Sequence, residues 1–298
     1  MNGVLVIDKP SGLTSHDVVS RVRRLLGQRA VGHLGTLDPL ATGVLPLVLG
    51  NMTRLAQFYL QSEKAYEGVI RFGFSTDTYD AEGDSASSPA KLTLSLEQVR
   101  KLASKFEGRI EQVPPPFSAK KIQGVPAYKL ARKSKAASLK PVIVEIKHFE
   151  ITSLEGPCAH FCARVGSGTY MRSIAHDMGR LAGCGAHLSA LRRTAVAEFS
   201  LSDALTLETL AAAMEGREEE APEVRLREIL VHPRRLLPAM PAVTATGEIA
   251  ARIRHGQAVN LAELSRSREV KVFSGQSELI AISTRIAGTL FHSRIVLG

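Results

Sequence analysis

The chain has 298 residues, of which 44% are hydrophobic and 22% are charged, and this composition excludes a disordered or fibrous protein. Its length predicts two domains, or one large domain with a small one, and it can bury a core without disulfides. A formal net charge of +9 favours a polyanionic partner such as nucleic acid, an anionic membrane or a phosphorylated substrate. The first residues do not read as a signal peptide, and no apolar run reaches the roughly 18 residues of a membrane span. We therefore expect a cytoplasmic protein.

The hydrophobic pattern predicts short strands and helices in chain order, without regular βαβ alternation. Strands are predicted at residues 4–7, 44–49, 65–73, 142–154, 159–165, 191–199, 269–273, 279–283 and 289–296. Helices are predicted at residues 15–26, 53–60, 95–108, 173–182 and 205–214, the first of them capped by Ser15. This order favours an α+β domain over residues 1–240, with a mixed, largely antiparallel sheet and flanking helices. Prolines near residue 240 mark a boundary, and residues 241–298 are predicted to form a small β-rich domain.

Most of the excess charge falls in one segment, where residues 118–147 hold eight basic residues and one acid. The basic residues are Lys120, Lys121, Lys129, Arg132, Lys133, Lys135, Lys140 and Lys147. Such a run is often only a solvated face, but its concentration favours a lobe that binds a polyanion. Tyr128 is the one aromatic residue inside it, so contacts to the phosphates of a folded RNA fit better than stacking on single strands.

The chain shows no sequence signature of a nucleotide cofactor or a metal. Residues 166–170 begin like a dinucleotide-binding glycine motif, but Met171 stands at the third glycine position. The three cysteines, Cys158, Cys162 and Cys184, do not have the spacing of a paired CxxC zinc site. They are predicted to be buried, reduced thiols.

Residues 32–50 form an unusual stretch, GHLGTLDPLATGVLPLVLG, whose first half is too rich in Gly, Pro and Thr for a regular element. Pro39 keeps Asp38 out of the right-handed helical region, and Gly35 and Gly43 allow a ligand to approach closely. On these local features Asp38 is either a turn-former or a presented nucleophile or base. A neighbouring Arg172 would keep its carboxylate ionised.

Residues 32–45, GHLGTLDPLATGVL, closely resemble the catalytic motif of the TruB family, the bacterial tRNA pseudouridine-55 synthases. Further blocks resemble the same family in the same order along roughly the first 200 residues. These blocks are VIDKP at 6–10, KAY at 64–66, TDTYDAEG at 76–83, PPFSAKK at 115–121, GTYMR at 168–172, CGAHL at 184–188 and LRR at 191–193. The resemblance implies the pseudouridine synthase fold, and the β-rich end looks like the family's PUA-type RNA-binding domain.

The resemblance also implies a reaction and its residues. The family detaches one uracil in the T-loop of tRNA and rejoins it to the sugar through C5, without a cofactor or a metal. Asp38 matches the catalytic aspartate, Tyr66 the tyrosine that stacks on the target base, and Arg172 the arginine that pairs with the carboxylate. Positions that line the base pocket or the opened T-loop are matched by His33, Tyr170 and Leu191.

The tRNA partner is expected to be held through its T-arm, by a basic insertion at about residues 114–141. The expected RNA contacts are Lys9, Lys64, Lys120, Lys121 and Arg132. A monomer is the default expectation for the oligomeric state. Two other readings remain open: an RNA chaperone that folds tRNA without modifying it, and a pseudouridine synthase with another RNA target. A carboxylate that faces RNA phosphates favours an enzyme over a pure binder.

Overall fold

The computed structural model describes residues 1–90, 93–117, 121–122, 125–126, 140–215, 222–263 and 265–298. Two of the predicted RNA-binding residues, Lys120 and Arg132, lie outside the described residues. Only the backbone of Lys121 is described, in a short strand. Among the described residues, no helix combines the length and the apolar composition that crossing a membrane requires.

One large sheet organises the first 200 residues, as the sequence predicts. Its strands are β1 Gly3–Lys9, β2 Val31–His33, β3 Thr42–Leu49, β4 Lys64–Phe72, β5 Gly108–Gln112, β8 Val142–Glu155, β9 Cys158–Val165, β10 Ala186–Val196 and β11 Phe199–Ser200. The short strands β6 Lys121–Ile122 and β7 Val125–Pro126 pair only with each other. The main order is β1-β3-β10-β4-β9-β8-β5, with β2 on β3 and β11 on β10. All pairs are antiparallel except β3 with β10. The predicted mixed, largely antiparallel sheet is therefore confirmed.

The described helices flank this sheet or belong to the second one. They are α1 Ser15–Leu25, α2 Leu96–Ala103, α3 Met171–Ala182, α4 Leu207–Glu215, α5 Pro222–Ile229 and α6 Gly247–Arg254. Helix α1 is capped by Thr14 rather than by Ser15, because the Thr14 side chain accepts from the Asp17 amide and Asp17 accepts from the Thr14 amide in return. Helix α3 ends at Gly183, whose φ of 73° suits glycine.

Other predicted elements were misassigned in type or extent. The predicted helix at 53–60 is a 3₁₀ helix, Gly50–Tyr59. The helix predicted to run from 95 to 108 ends at Ala103, and a 3₁₀ helix, Ser104–Phe106, follows it before β5 starts at Gly108, where φ is 91°. Helix α6 was missed, since eight residues are too few to show a clear helical period.

The β-rich C-terminal part is a second, five-stranded sheet of order β12-β14-β15-β16-β13. Its strands are β12 Ala242–Ala245, β13 Val259–Asn260, β14 Glu269–Ser274, β15 Glu278–Ala287 and β16 Leu290–Val296. The sheet starts two residues after the predicted boundary at 240, which remains a prediction. Phe273 and Ile295 share one buried apolar cluster with Val4 and Val44 of the large sheet. The two sheets are therefore packed together through a common hydrophobic core.

Lys271 ties the second sheet to the segment that leads into it. Its side chain is buried, and its ammonium group donates to the carbonyl of Leu236 at 2.6 Å and to that of Arg234 at 3.3 Å. Burial lowers the pKa of this ammonium, with the Glu198 charge opposing that shift. The cost of burying the charge is offset by hydrogen bonds to carbonyls that would otherwise be unsatisfied.

Replacing this ammonium tests its contribution to stability. Lys271→Met keeps the chain length of the side chain but removes the donor to the buried carbonyl of Leu236. We expect the free energy of unfolding to fall by about 1–3 kcal/mol, measured by urea denaturation with circular dichroism. Lys105→Met, at an exposed position, is the control and should change it little. Equal effects of both changes would contradict the assigned role.

Candidate active site

Asp38 lies in the loop between β2 and β3, and two glycines allow the backbone conformation of this loop. Gly35 and Gly43 have φ of 127° and 98°, values that side chains rarely adopt. A Cβ at Gly43 would lie 2.2 Å from the backbone oxygen of Arg193, because β10 runs beside β3 at that point. The loop can pass this close to β10 only with glycine at position 43.

Arg193 of β10 holds the backbone of this loop from below. Its guanidinium is fully buried and donates to the carbonyls of Gly35 at 3.0 Å, Thr36 at 3.2 Å and Val44 at 2.8 Å. Burial lowers the pKa of this guanidinium, while Tyr66, its cross-strand partner on β4, raises it. One side chain therefore fixes both ends of the loop.

Lys9, the last residue of β1, holds the other side of the loop. Lys9 is fully buried, and its ammonium group donates to the carbonyls of Pro10 at 2.8 Å, Leu13 and Pro39 at 3.1 Å. Burial lowers its pKa to about 8. Lys9 was expected to contact RNA, but in this structure its donors point at loop carbonyls, because the β1–α1 turn encloses it. Its hydrogen bond to the Pro39 carbonyl fixes the backbone directly after Asp38.

Ser15, freed from capping the helix, contacts the loop instead. Its hydroxyl accepts from the amide of Leu37 at 2.8 Å and donates to the carbonyl of Leu37 at 3.1 Å. Both hydrogen bonds are buried, so they are shielded from water. The residue before Asp38 is thus fixed as firmly as the proline after it.

The Asp38 carboxylate is paired with Arg172, as the resemblance predicts. The Arg172 guanidinium lies 2.8 Å from Oδ2 through Nε and donates to Oδ1 through Nη2 at 3.0 Å. Arg172 is 5% exposed, at the start of α3, and also donates to the carbonyls of Thr78 and Phe117. The Asp38 side chain keeps 38% of its surface exposed. The Asp38 carboxylate is therefore held by Arg172 while part of its surface stays open to solvent.

A second carboxylate, Asp80, lies on the other side of Arg172. Its Oδ2 is 3.4 Å from Nη1 of Arg172, and its side chain is 5% exposed. The Thr78 hydroxyl at 2.6 Å and the Glu82 amide at 3.1 Å donate to its Oδ1. Asp80 is thus held in place by its own turn, and it aligns the guanidinium that faces Asp38.

The charges around Asp38 act on its pKa in opposite directions. Burial is the largest cause and raises the pKa, the Arg172 guanidinium lowers it, and the Asp80 carboxylate raises it again. The net direction is upward from the usual value for an aspartate. Two acids that share one arginine leave Asp38 more basic than a carboxylate with an arginine of its own would be.

The remaining predicted pocket residues lie on elements that adjoin the Asp38 loop or carry Arg172. Tyr66 on β4 and Leu191 on β10 are buried in the main hydrophobic cluster, which also contains Leu37 of that loop. His33 accepts through Nδ1 from the Gly35 amide at 3.3 Å, and burial lowers its pKa, so it is neutral at pH 7. Tyr170 precedes α3, where Gln112 binds its backbone amide and carbonyl. Direct contacts thus join Arg172 to Asp38, while Tyr66 is linked to the loop through Arg193.

Lys64 lies at the edge of the same loop. Its ammonium group donates to the carbonyl of Ser62 at 2.7 Å, and its Cε comes within 3.4 Å of the place a Cβ at Gly35 would occupy. Burial and the Arg193 charge lower its pKa to about 8. It is half-buried, so an ammonium group with some access to solvent lies beside the Asp38 loop.

Sequence reasoning assigned no role to Asp80 or Arg193, and it assigned Ser15 only the helix cap. Asp80 and Arg193 lie inside the blocks TDTYDAEG and LRR, so a polar residue in a matched block was a signal that could have drawn attention to them. Ser15 looks like a helix cap in the sequence, and only the tertiary contact to Leu37 reveals its other use.

Two sequence families match this chain: residues 23–171 match the TruB family pseudouridylate synthase (N terminal domain), and residues 172–237 the tRNA pseudouridylate synthase B C-terminal domain. The tRNA pseudouridine synthase B of Solibacter usitatus is 47% identical over 300 residues, covering 100% of both chains. That of Syntrophotalea carbinolica is 42% identical over 86% of this chain and 81% of the relative. A solved Cbf5-Nop10-Gar1 complex aligns with a TM-score of 0.72 and 27% identity, over 99% of this chain and 85% of the other.

Together with the fold and the site, these matches define the class of this enzyme, which is a pseudouridine synthase. The chain belongs to the TruB family of pseudouridylate synthases. Its two family matches meet at residue 172 and end at residue 237, before the second sheet begins. The likeness of that sheet to a PUA domain therefore remains a prediction.

Removing the charge of Asp80 tests whether it positions Arg172. Asp80→Asn keeps the shape and the contact to Thr78 but removes the charge that aligns the guanidinium. We expect the single-turnover rate of pseudouridine formation to fall on the order of 10²-fold, because small displacements of reacting groups are costly. The rate is measured by tritium release from C5-labelled uridine, with tRNA affinity measured by filter binding.

Asp84→Asn is the matched control, since Asp84 lies in the same loop but is exposed. It should leave both the rate and the affinity near those of the unchanged protein. A rate for Asp80→Asn equal to that of Asp84→Asn would refute the positioning role.

Proposed function

We propose that this enzyme converts uridine-55 in the T-loop of tRNA to pseudouridine, with Asp38 as the nucleophile or base. Pseudouridine synthesis in tRNA is supported by the full-length relatives named tRNA pseudouridine synthase B. The observation that carries the role of Asp38 is its ion pair with Arg172 at 2.8 Å, on a loop held by three other side chains. The position within tRNA follows from the resemblance of residues 32–45 to the family motif.

The reaction exchanges one bond to the sugar for another. The bond between N1 of uracil and C1′ of ribose breaks, the base turns, and a bond from C5 to C1′ forms. C5 then loses its proton, and N1 ends with one, so the product is an isomer of the substrate. The Asp38 carboxylate acts either on the base or at the sugar, and in both cases it must be ionised at the start. The Arg172 guanidinium favours that ionised form.

The side chains around the Asp38 loop suit a nucleotide that has left its stack. A base that is flipped out needs flat, apolar surfaces in place of its former neighbours. Tyr66 and Leu191 are proposed to supply these, and His33 and Tyr170 lie at the start of the loop and of helix α3. Packing in the main hydrophobic cluster holds the Tyr66 ring before the base arrives. A fixed wall reduces the ordering that binding would otherwise require.

The tRNA is proposed to bind through its T-arm phosphates. Lys64 lies beside the cleft, and Lys120, Lys121 and Arg132 belong to the basic segment that follows residue 117. The second sheet, if it acts like a PUA domain, adds RNA contacts beyond the T-arm. Binding through phosphates would weaken as salt rises.

An RNA chaperone activity is compatible with the same surface, but it does not explain the site. A protein that only binds RNA gains nothing from a partly buried carboxylate facing phosphates, which it would repel. The paired Asp38 and Arg172 therefore favour chemistry, and folding of tRNA during binding would be an additional activity.

Asp38→Asn tests the proposed chemistry. The amide keeps the shape of the side chain and removes its charge, so the fold and tRNA binding should survive. We expect the rate of tritium release from C5-labelled uridine in a T-arm transcript to fall by at least about 10⁴-fold, on the order of 5 kcal/mol in the barrier. Near-normal release would refute the role of Asp38.

Two controls separate the claims. Filter binding with the same transcript must show unchanged affinity, because a damaged fold would lose binding as well. Mapping of pseudouridine in full-length tRNA tests the position: modification at a site other than 55 would refute the target while leaving the chemistry intact.

The rate should also depend on pH in a defined direction. Because the pKa of Asp38 is raised, its reactive carboxylate is lost as pH falls through values above the usual aspartate range. Asp80→Asn removes a like charge that contributes to this rise, so the acidic limb of the single-turnover rate should move to lower pH. A limb that stays in place, or moves upward, would contradict the assigned electrostatics; Asp84→Asn again serves as the control.

A further inference from the structure

The outward face of β8 and β9 carries three side chains of metal-binding type that the reaction does not use. His148 and Glu150 are two residues apart on β8, so both project from one face. Cys162 on β9 is the direct cross-strand partner of Glu150. One ligand atom from each of the three lies within 4.8 Å of the other two. We propose that His148, Glu150 and Cys162 bind a divalent metal ion of the zinc class.

The spacing of the three ligand atoms suits a tetrahedral ion. Nε2 of His148 lies 3.5 Å from Oε2 of Glu150 and 3.8 Å from Sγ of Cys162, and Sγ lies 3.9 Å from Oε2. Zinc bound to nitrogen, oxygen and sulfur at its usual distances sets such atoms about 3.4–3.6 Å apart. The triangle therefore needs to close by only about 0.1–0.3 Å on each side. Three protein ligands leave the fourth position to water.

The second nitrogen of His148 already faces a carboxylate. Nδ1 lies 3.7 Å from Oε1 of Glu107, and that oxygen accepts from the amide of Phe149 at 2.8 Å. Metal-binding histidines commonly have a carboxylate at the nitrogen that does not bind the metal, which fixes the ring and its tautomer. With the proton on Nδ1, Nε2 is free to bind the ion.

The local charge also favours a cation, in a chain whose net charge is +9. Burial raises the pKa of the Cys162 thiol, and the Glu150 and Glu67 carboxylates raise it further. These acids repel a thiolate but attract a metal ion, which would displace the thiol proton as it binds. Arg164, next on the same face of β9 and opposite His148, is the opposing charge. The acids outnumber it around the cluster.

This cluster lies on the opposite face of β9 from the side chains that pack around Tyr66. Along β9 the side chains alternate, and Phe161 and Ala163 on either side of Cys162 pack into the core that contains Tyr66. Cys162 therefore faces away from that core, on the opposite side of the sheet. A bound ion would join β8 to β9 and stabilise this part of the sheet without taking part in the isomerisation. The ligands come from two strands, which is why the cysteine spacing alone gave no zinc signal.

Cobalt(II) is the probe that tests the site, because a cobalt–thiolate bond gives an intense near-ultraviolet absorption. The full-length protein, first treated with a chelator, is titrated with Co²⁺ and then with Zn²⁺. We expect one equivalent of Co²⁺ to produce the thiolate band, Zn²⁺ to remove it by competition, and binding to release a proton. Absence of the band in the unchanged protein would overturn the proposal.

Matched variants locate the ion. Cys162→Ser should abolish the band, and Glu150→Gln, at an exposed position that the fold does not need, should weaken Co²⁺ binding at least about 10-fold. Glu107→Gln should weaken it by about 10–100-fold through His148. Cys158→Ser, on the same face of β9 but outside the cluster, should retain the band. Loss of the band in Cys158→Ser, or its survival in Cys162→Ser, would refute the site.

Discussion

A buried guanidinium that binds backbone carbonyls is the interaction on which the active site depends. Arg193 donates to the carbonyls of Gly35, Thr36 and Val44, and a side chain without these donors would leave the three carbonyls without this hydrogen-bond partner. It therefore fixes the loop at both ends, and Lys9 and Ser15 fix the middle. The loop has little freedom left, so the direction of the Asp38 side chain is determined by the fold before any substrate binds.

The second arginine has a different task. Arg172 contacts side-chain carboxylates on both sides, so it sets the electrostatic surroundings of Asp38. Arg193, in contrast, sets the conformation of the loop backbone. A dipole or charge that is already oriented need not reorganise during the reaction, and this is a large part of how enzymes stabilise transition states. Because Arg172 is shared between Asp38 and Asp80, its charge is divided between two carboxylates rather than paired with Asp38 alone.

Local patterns in the sequence predicted those features, such as strands and turns, that depend on residues close together along the chain. Alternation of apolar residues placed β8 and β9 to within about one residue at each end, and the glycines and proline around Asp38 indicated a stiff, exposed turn. The pairing of Arg172 with Asp38 came from the family resemblance, and the structure confirms it. Contacts between distant segments could not be predicted from the sequence. Nothing near Asp80 indicates that it contacts Arg172. Lys9 looks like a surface lysine, and only the folded β1–α1 turn buries it. The helix at 95–108 was too long for a related reason, since the strand that starts at Gly108 is defined by its partner β8.

The apolar cluster that joins the two sheets makes them one folding unit in energetic terms. Val4 and Val44 of the large sheet share a buried cluster with Phe273 and Ile295, which come much later along the chain. On a ribosome, the large sheet would emerge with this surface uncovered and would reach its final packing only after the second sheet has emerged as well. The maturation of the active site in a cell is thereby coupled to completion of a domain that lies outside it.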